Sequence, residues 1–255
     1  MKQLKIHIKG IVIKETVLGS DSKLINILTE KSGVISALAC CGNNSKCKKM
    51  LSMQVFSYCN FTISKTNSGY IINEVYSIKN FCGVSRNIES LCIAQYLCEV
   101  ALVITPEGRF FSDFFKLFLG CVFYISNQKK DLKLVKLIFE MRCCAMSGYL
   151  PDVLCCRFCQ KYEHDTMYFL VDKGCIACKN CIDKHSKDFP LNAGMLFALR
   201  HILFSEIENL FSFNLSDNAL DNLSALSEKY MIYHVCANFK SLKLLDGVSL
   251  NNIND

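Results

Sequence analysis

The sequence lacks any apolar run long enough to cross a membrane. The longest uninterrupted apolar stretch of the 255-residue chain is residues 117–125, far shorter than the roughly 20 apolar residues that a transmembrane helix needs. The first 14 residues alternate polar, mostly basic, and apolar side chains, so they predict no secretory signal. We therefore expect a cytoplasmic protein that spans no membrane.

The signatures of several common enzyme classes are also missing. The sequence contains no Gly-x4-Gly-Lys-Ser/Thr, no Gly-x-Gly-x-x-Gly and no His-Glu-x-x-His, which are the usual marks of ATP hydrolysis, dinucleotide binding and zinc proteolysis. Its closest helical acidic pair, Glu206 and Glu208, would not share a helix face. We find no constellation typical of an active site and predict that the protein is not an enzyme.

The net charge of +6 is distributed unevenly along the chain. Residues 1–80 contain 11 lysines and 4 acidic residues, a formal charge of +7, whereas the remaining 18 basic and 19 acidic residues sum to −1. A positive field concentrated in one part of a protein attracts polyanions. The first third of the chain is therefore expected to bind nucleic acid or an anionic surface.

The same basic third has the pattern of a small β domain. Short segments with alternating or apolar character are separated by turn-rich pieces, which predicts five strands in a small closed barrel or sandwich. The predicted strands are residues 2–13, 24–29, 33–39, 52–63 and 70–77.

Lysines and aromatic residues are interleaved in this β domain. Lysines that track phosphates, combined with rings on which bases stack, are the means by which small barrels hold single strands. The alternative is a solvated lysine face over an aromatic core. The candidate DNA-binding lysines are Lys5, Lys9 and Lys14 on the first strand and Lys46, Lys48 and Lys49 after the turn at residues 42–45; the aromatic residues are Phe56, Tyr58, Phe61, Tyr70 and Tyr76.

After residue 80 the apolar spacing becomes helical. The predicted helices are residues 88–103, 111–125, 131–147, 191–213 and 217–239, the last of them capped by Ser216. Between the third and fourth helices, residues 152–189 are rich in Cys, Lys and Asp and are too polar to bury a core of their own. This segment needs another means of stabilisation.

Two cysteine pairs inside residues 152–189 supply this stabilisation as predicted metal ligands. Cys156-x2-Cys159 is followed, after 18 intervening residues, by Cys178-x2-Cys181, a spacing typical of zinc ribbons. Four thiolates give the tetrahedral shell that Zn²⁺ prefers and leave no open coordination position, so the predicted zinc is structural. The alternative ligands are Cys155, Cys175, His164 and His185.

Two other uses of cysteine are weaker interpretations. The 17 cysteines are an odd number in a chain that is not a short secreted one, which argues against a disulfide framework and for a reducing compartment. A thiol oxidoreductase needs one Cys-x-x-Cys at the strand-to-helix junction of a βαβ unit. We find no such unit around either pair.

Segments along nearly the whole chain resemble the RecO family of bacterial recombination mediators and DNA repair proteins. The most specific stretch is residues 139–151, which runs directly into the cysteine pairs. Three family-typical basic positions are occupied by Asn43, Asn44 and Ser45 instead, and Cys47 replaces the family's loop serine. Further similar segments are residues 10–13, 28–30, 53–56, 105–107, 233–234 and 240–241.

The resemblance implies an α+β multidomain protein in which an N-terminal OB-fold barrel precedes a helical domain carrying a zinc-ribbon insertion. The expected domains are residues 1–80 (OB-fold), 81–151 and 190–247 (helical domain), 152–189 (zinc ribbon) and 248–255 (frayed tail).

The resemblance also implies a function. Such a protein binds single- and double-stranded DNA, anneals complementary strands without ATP, engages the single-stranded DNA-binding protein SSB, and acts with RecR to load RecA onto gapped DNA. The alternative hypothesis is an adaptor that recruits SSB or RecR and has little DNA affinity of its own.

Overall fold

The computed structural model describes residues 5–19, 22–40, 52–67, 69–108, 111–182 and 189–251. The chain divides into two compact units, Met1–Asn127 with Phe239–Asp255 and Gln128–Asn238. The boundaries of these two units differ from the predicted domain boundaries after residues 80, 151 and 189. The predicted functional domains stay a prediction. Each unit is described separately.

The first unit contains five strands that close into a barrel. The strand order around the barrel is β1-β2-β3-β5-β4, and β1 pairs with β4 to complete the ring. All pairings are antiparallel except that of β3 with β5. The strands are β1 (Lys5–Val17), β2 (Ser22–Thr29), β3 (Gly33–Cys40), β4 (Ser57–Thr66) and β5 (Gly69–Asn80).

Strand β1 is long because it serves two neighbours in succession. Residues 5–11 pair with β4, and residues 10–17 pair with β2. Gly10 lies where the two ladders overlap, and a Cβ there would come within 2.4 Å of Ile27 Cγ2 and 2.7 Å of the Leu28 carbonyl oxygen. A glycine therefore permits the close approach of β1 and β2. The barrel interior is filled by apolar residues that include Val12, Ile25, Ile27, Ile35, Phe61, Ile63 and Ile72.

Three α-helices complete the first unit: α1 (Ile88–Ile104), α2 (Ser112–Asn127) and α6 (Lys240–Asn251). Asn87 caps α1 by accepting a hydrogen bond from the Ser90 N–H at 2.7 Å. Helix α6 packs on α1, where Phe239 meets the Tyr96 ring edge-on and Ser241 donates to Glu99. This helix extends four residues into the predicted frayed tail.

The second unit combines three α-helices with a small sheet. The helices are α3 (Leu132–Met146), α4 (Ala193–Phe204) and α5 (Asp217–Val235); the strands are β6 (Met167–Leu170), β7 (Cys175–Cys178) and β8 (Phe189–Leu191). The sheet order is β7-β6-β8. Among the residues described in either unit, no helix is both long and apolar enough to cross a membrane.

Two predicted helices are too long. Helix α4 ends at Phe204 rather than at residue 213, because the backbone becomes extended at Ser205. The Arg142 guanidinium satisfies this helix end by donating to the carbonyls of Leu203 and Ser205. Helix α5 ends at Val235 rather than at residue 239, because Cys236 adopts a left-handed backbone with φ of 52°. Both ends depend on conformations that apolar spacing does not reveal.

Two smaller expectations also need correction. Strand β4 begins at Ser57 rather than at residue 52, because Phe56 adopts a left-handed backbone with φ of 69° that interrupts an extended chain. Ser216 does precede α5, but its side chain makes no capping hydrogen bond.

The prediction that the cysteine-rich segment buries no core was wrong. The small sheet contributes fully buried apolar residues, and Phe169 packs edge-on against Tyr230 of α5 with ring centroids 5.3 Å apart. Tyr230 in turn donates to the Tyr149 carbonyl. The segment therefore gains part of its stability from ordinary apolar burial; its buried residues include Val153, Met167, Phe169, Leu170, Val171 and Ile176.

A charged network is buried between α3 and α5. Lys136 Nζ lies 3.0 Å from Glu140 Oε1 and 2.6 Å from Glu228 Oε2, and Ser227 donates to Glu140. Burial acts to lower the Lys136 pKa, but the two carboxylates outweigh it and raise the pKa above its ordinary value. Lys136 is thus held as a cation that neutralises the buried Glu140.

The close approach at Gly10 predicts a stability effect. Replacing Gly10 by alanine should lower the free energy of unfolding by about 1–3 kcal/mol, because the added methyl overpacks the β1–β2 contact. Urea denaturation monitored by circular dichroism measures the change. The matched control is Gly247→Ala in α6, where a Cβ meets nothing within 4 Å and helix propensity favours alanine. Equal stability of the Gly10→Ala variant and the wild type would contradict this account.

The Lys136 network predicts that removing the cation alone costs more stability than removing the cation together with its buried partner. Lys136→Met should cost about 3–5 kcal/mol near neutral pH, because it leaves a buried carboxylate without its cation, whereas Lys136→Met combined with Glu140→Leu should cost less. Without a cation beside it, the buried Glu140 carboxyl favours its neutral form in the folded state. The deficit should therefore shrink as the pH falls toward the unfolded pKa of about 4.3. Denaturant titrations at several pH values test both statements. A double variant less stable than the single one would refute the first, and a deficit that does not shrink at low pH would refute the second.

Candidate metal centre and nucleic-acid surface

Two tight turns present the four cysteines of the predicted zinc ribbon. In the first turn Gln160 donates its N–H to the Cys156 carbonyl while adopting φ of 63°. The second turn follows strand β7, where the N–H groups of Cys181 and Ile182 both point to the Cys178 carbonyl. Each turn brings two thiols to the same side of the backbone, as a metal knuckle requires.

The two turns meet with their sulfur atoms together. The Sγ atoms of Cys156, Cys159, Cys178 and Cys181 all lie within 4.8 Å of one another. The Sγ atoms of Cys159 and Cys178 are 3.7 Å apart, and Zn–S bonds of about 2.3 Å in tetrahedral geometry imply a sulfur–sulfur separation of about 3.8 Å. The cluster therefore has the donor set and the spacing to hold a metal ion.

Backbone dipoles prepare this cluster for a cation. Burial acts to raise the pKa of Cys156, but hydrogen bonds from the backbone N–H groups of Cys159, Cys178 and Phe158 lower it to about 6. Hydrogen bonds to Cys159 and Cys178 raise the pKa of Cys181 to about 12. Four thiolates this close repel one another, so full ionisation requires a cation among them.

The alternative ligands lie elsewhere. Cys155 donates to Gln160 Oε1 at 3.2 Å. Cys175 is three residues before Cys178 on β7 and so points to the opposite face of the sheet, where burial raises its pKa. His164 is not part of the sulfur cluster, and His185 lies outside the described residues.

Three of the six candidate DNA-binding lysines can be located on β1. Lys5 and Lys9 are exposed on the stretch that pairs with β4, whereas Lys14 is exposed on the stretch that pairs with β2. Buried residues 10–13 separate the two groups, so these three lysines do not form one continuous row. Lys46, Lys48 and Lys49 lie outside the described residues.

The structure places one further basic residue, Lys31, near Lys9, and Lys31 is not among the lysines predicted from the sequence. A groove of about 360 Å³ opens beside residues 7–9 of β1 and is lined by His7, Lys9 and Lys31 together with Thr29, Glu30 and Ser32. Glu30 accepts a hydrogen bond from Ser112 at 3.0 Å. Lys31 belongs to the turn between β2 and β3, and the antiparallel pairing of β1 with β2, which ends at Gly10 and Thr29, brings that turn beside residues 7–9 of β1.

Most of the interleaved aromatic residues do not form a stacking surface. Phe56 and Phe61 are buried in the barrel. Tyr58 packs against Phe115 of α2, and Tyr70 donates its hydroxyl to Glu107. Tyr76 alone among the five is largely exposed, at 64%. The alternative of an aromatic core therefore holds for most of the set.

Two family models together match nearly the whole chain. Residues 1–81 match the model described as Recombination protein O N terminal. Residues 85–243 match the model described as Recombination protein O C terminal.

Several curated proteins named DNA repair protein RecO are similar to the chain over most of their length. The protein from Acetivibrio thermocellus is 29% identical over 236 residues, which cover 92% of this chain and 94% of that protein. The protein from Clostridium novyi is 24% identical over 97% of this chain and 96% of its own length. The protein from Alkaliphilus metalliredigens is 23% identical, with coverages of 94% and 98%.

Proposed function

The chain belongs to the RecO family and has a role in DNA repair, and we propose that it performs this role as a recombination mediator that binds DNA through its barrel. The observation that carries the proposal is a closed barrel whose first strand exposes lysines beside a groove lined by Lys9 and Lys31. We propose that this barrel is an OB-fold. Its strand order, with β1 paired to both β2 and β4, supports that assignment.

The proposed phosphate contacts are made by lysine side chains on the barrel. Lys5 and Lys9 form one exposed group, and Lys14 a second one beyond the buried residues 10–13. Lys46, Lys48 and Lys49 supply further charge in the segment between β3 and β4. Lysine contacts with phosphate depend on charge and not on base sequence, so they serve single- and double-stranded DNA alike.

Charge neutralisation also accounts for the proposed annealing activity. Two complementary strands repel each other through their phosphates, and bound lysines reduce this repulsion because they neutralise phosphates in place of the counterions that are released. Such annealing needs positively charged protein but neither ATP nor bond chemistry, and we propose that the protein acts by binding rather than as an enzyme. Its expected place is the cytoplasm, in association with the nucleoid.

The proposed protein partners follow from family membership. As a member of the RecO family, the chain is proposed to engage SSB on single-stranded DNA and to act with RecR, so that RecA is loaded on gaps.

A second candidate function is that of an adaptor. Phe197 on α4 is 71% exposed and borders a cavity of about 600 Å³ that is also lined by Met195 and Phe213. Exposed apolar groups beside a cavity are typical of protein-binding surfaces. In this function the helical part recruits SSB or RecR and the barrel contributes little affinity.

We propose that the sulfur cluster holds a structural Zn²⁺. Cys156, Cys159, Cys178 and Cys181 would be its four ligands, and a full shell of protein ligands leaves no position at which water could be activated. The ion would join the turn at residues 156–160 to the turn after β7. Its contribution would add to the apolar packing of the small sheet on α5.

Salt dependence separates the mediator from the adaptor. For single strands the logarithm of the binding constant falls with the logarithm of salt by about 0.7 per phosphate neutralised. Replacing Lys5 and Lys9 by alanine should therefore flatten this slope by about 1.4 units if each lysine contacts one phosphate. Fluorescence anisotropy with labelled oligothymidylate at several salt concentrations measures the slope.

The control is the pair Lys161→Ala and Lys179→Ala, which removes the same charge from the cysteine-rich segment. Equal flattening by the control would show that the phosphate contacts are not confined to the barrel. An unchanged slope in both the Lys5/Lys9 variant and a Lys46/Lys48/Lys49 triple variant would favour the adaptor.

Metal analysis tests the zinc proposal. Purified protein should contain one zinc per chain by elemental analysis, and Cys156→Ser should lose it together with thermal stability, because three thiolates bind zinc less tightly than four. The matched control is Cys155→Ser, whose thiol is adjacent in sequence but lies outside the cluster. Wild-type protein without metal and with ordinary stability, or loss of zinc in the control, would overturn the assignment.

A further inference from the structure

Three exposed side chains form one row across the outer face of the barrel. Lys9 of β1 pairs with Asn60 of β4, and Asn60 pairs with Tyr76 of β5. Residues directly opposite each other in a sheet project from the same face. All three are exposed, Tyr76 at 64%. Because adjacent strands lie about 4.8 Å apart, the row spans about 10 Å between its outer Cα atoms.

The rows on either side show why this one is accessible. In the row toward α2, Ile11 pairs with Tyr58, and the Tyr58 ring packs against Phe115 of that helix. In the row on the other side, the His7 ring and the Thr62 hydroxyl are 3.2 Å apart. The row of Lys9, Asn60 and Tyr76 is thus the first one beyond the cover that α2 provides.

Charge is divided across this face. On the β1 side Lys9 also lines the groove of about 360 Å³ with a second lysine, Lys31, and one acidic residue, Glu30, which accepts a hydrogen bond from Ser112. On the β5 side the exposed Glu74 lies in the row next to Tyr76, opposite Thr62. On the other side of Tyr76, the exposed Lys79 lies opposite Tyr58 and offsets the charge of Glu74. A phosphate is therefore attracted mainly to Lys9 and Lys31 on the β1 side, whereas the Tyr76 ring offers an uncharged base a stacking surface.

We propose that Tyr76 is a base-stacking subsite for single-stranded nucleic acid, with the phosphate of the bound strand held in the groove by Lys9 and Lys31 and with Asn60 between them. This inference rests on the proposed DNA-binding function. It adds a named subsite and says on which side of the barrel face the phosphate and the base of the bound strand lie. An aromatic ring accepts any base because every base has a π-face. The subsite therefore contributes affinity for unpaired strands without sequence preference.

A binding experiment separates the contribution of the Tyr76 ring from that of the Lys9 charge. Full-length wild type, Tyr76→Ala, Tyr76→Phe and Lys9→Ala are compared by fluorescence anisotropy on oligothymidylate of about 16 nucleotides and on an abasic strand of equal length. On oligothymidylate Tyr76→Ala should raise the Kd by about 5- to 100-fold, and Tyr76→Phe should bind like the wild type. On the abasic strand the effect of Tyr76→Ala should vanish, while Lys9→Ala should weaken binding to both strands.

A spectroscopic experiment gives a readout independent of affinity. The chain contains no tryptophan, so Tyr76→Trp introduces a single indole at the proposed subsite. Saturating oligothymidylate should quench its fluorescence, whereas the abasic strand should not. The control is Tyr233→Trp on α5, a position that is also half exposed and should report no quenching by either strand.

The outcomes distinguish this inference from the function on which it rests. If Tyr76→Ala binds oligothymidylate like the wild type while Lys9→Ala binds more weakly, the subsite is refuted and the DNA-binding barrel stands. If Tyr76→Ala weakens binding equally on the abasic strand, the tyrosine acts through structure and the inference also fails. If the wild type binds neither strand with a dependence on salt, the proposed function itself fails.

Discussion

The pairing of β1 with two different strands is the constraint on which the barrel and its surface depend. Because β1 pairs with β4 over residues 5–11 and with β2 over residues 10–17, it closes the ring and leaves no exposed pair of sheet edges. The exchange of partners needs Gly10, where any Cβ would collide with β2. The same exchange opens the groove beside residues 7–9, since there β1 has β4 as a neighbour but not β2. Fold closure and the proposed binding surface are thus two consequences of one strand register.

The second unit combines a candidate metal site with an apolar core, whereas the sequence pattern predicted a metal site in place of a core. The cysteine turns bring four sulfur atoms together, and the small sheet beside them buries Phe169 against Tyr230. A segment of this kind does not depend on a metal for all of its structure. The proposed zinc would instead fix the turn at residues 156–160, whose largest apolar side chain, Phe158, is 55% exposed and contributes little burial.

The extent to which the fold was predictable follows from the range of the interactions involved. Alternation and turn residues located all five strands of the barrel, and helical spacing located five of the α-helices, because both patterns come from local burial. The ends of α4 and α5 were misplaced. The end of α4 lies at the extended backbone of Ser205 and is satisfied by Arg142, about 60 residues earlier in the chain, and the end of α5 depends on the left-handed backbone of Cys236. The core of the small sheet was missed because its buried residues are spread among many polar ones.

The sequence by itself determined the spacing of the four cysteines and the concentration of lysines in the first 80 residues, since spacing and charge are properties of the chain alone. Its likeness to one family is equally a property of the chain. Only the tertiary structure decided which sulfur atoms meet and on which stretches of β1 Lys5, Lys9 and Lys14 are exposed. It also decided that Phe56 and Phe61 belong to the core whereas Tyr76 is exposed. The physical reason is that the accessibility of a side chain depends on strand register and on the helix packed above it, and neither is encoded in the neighbours along the chain.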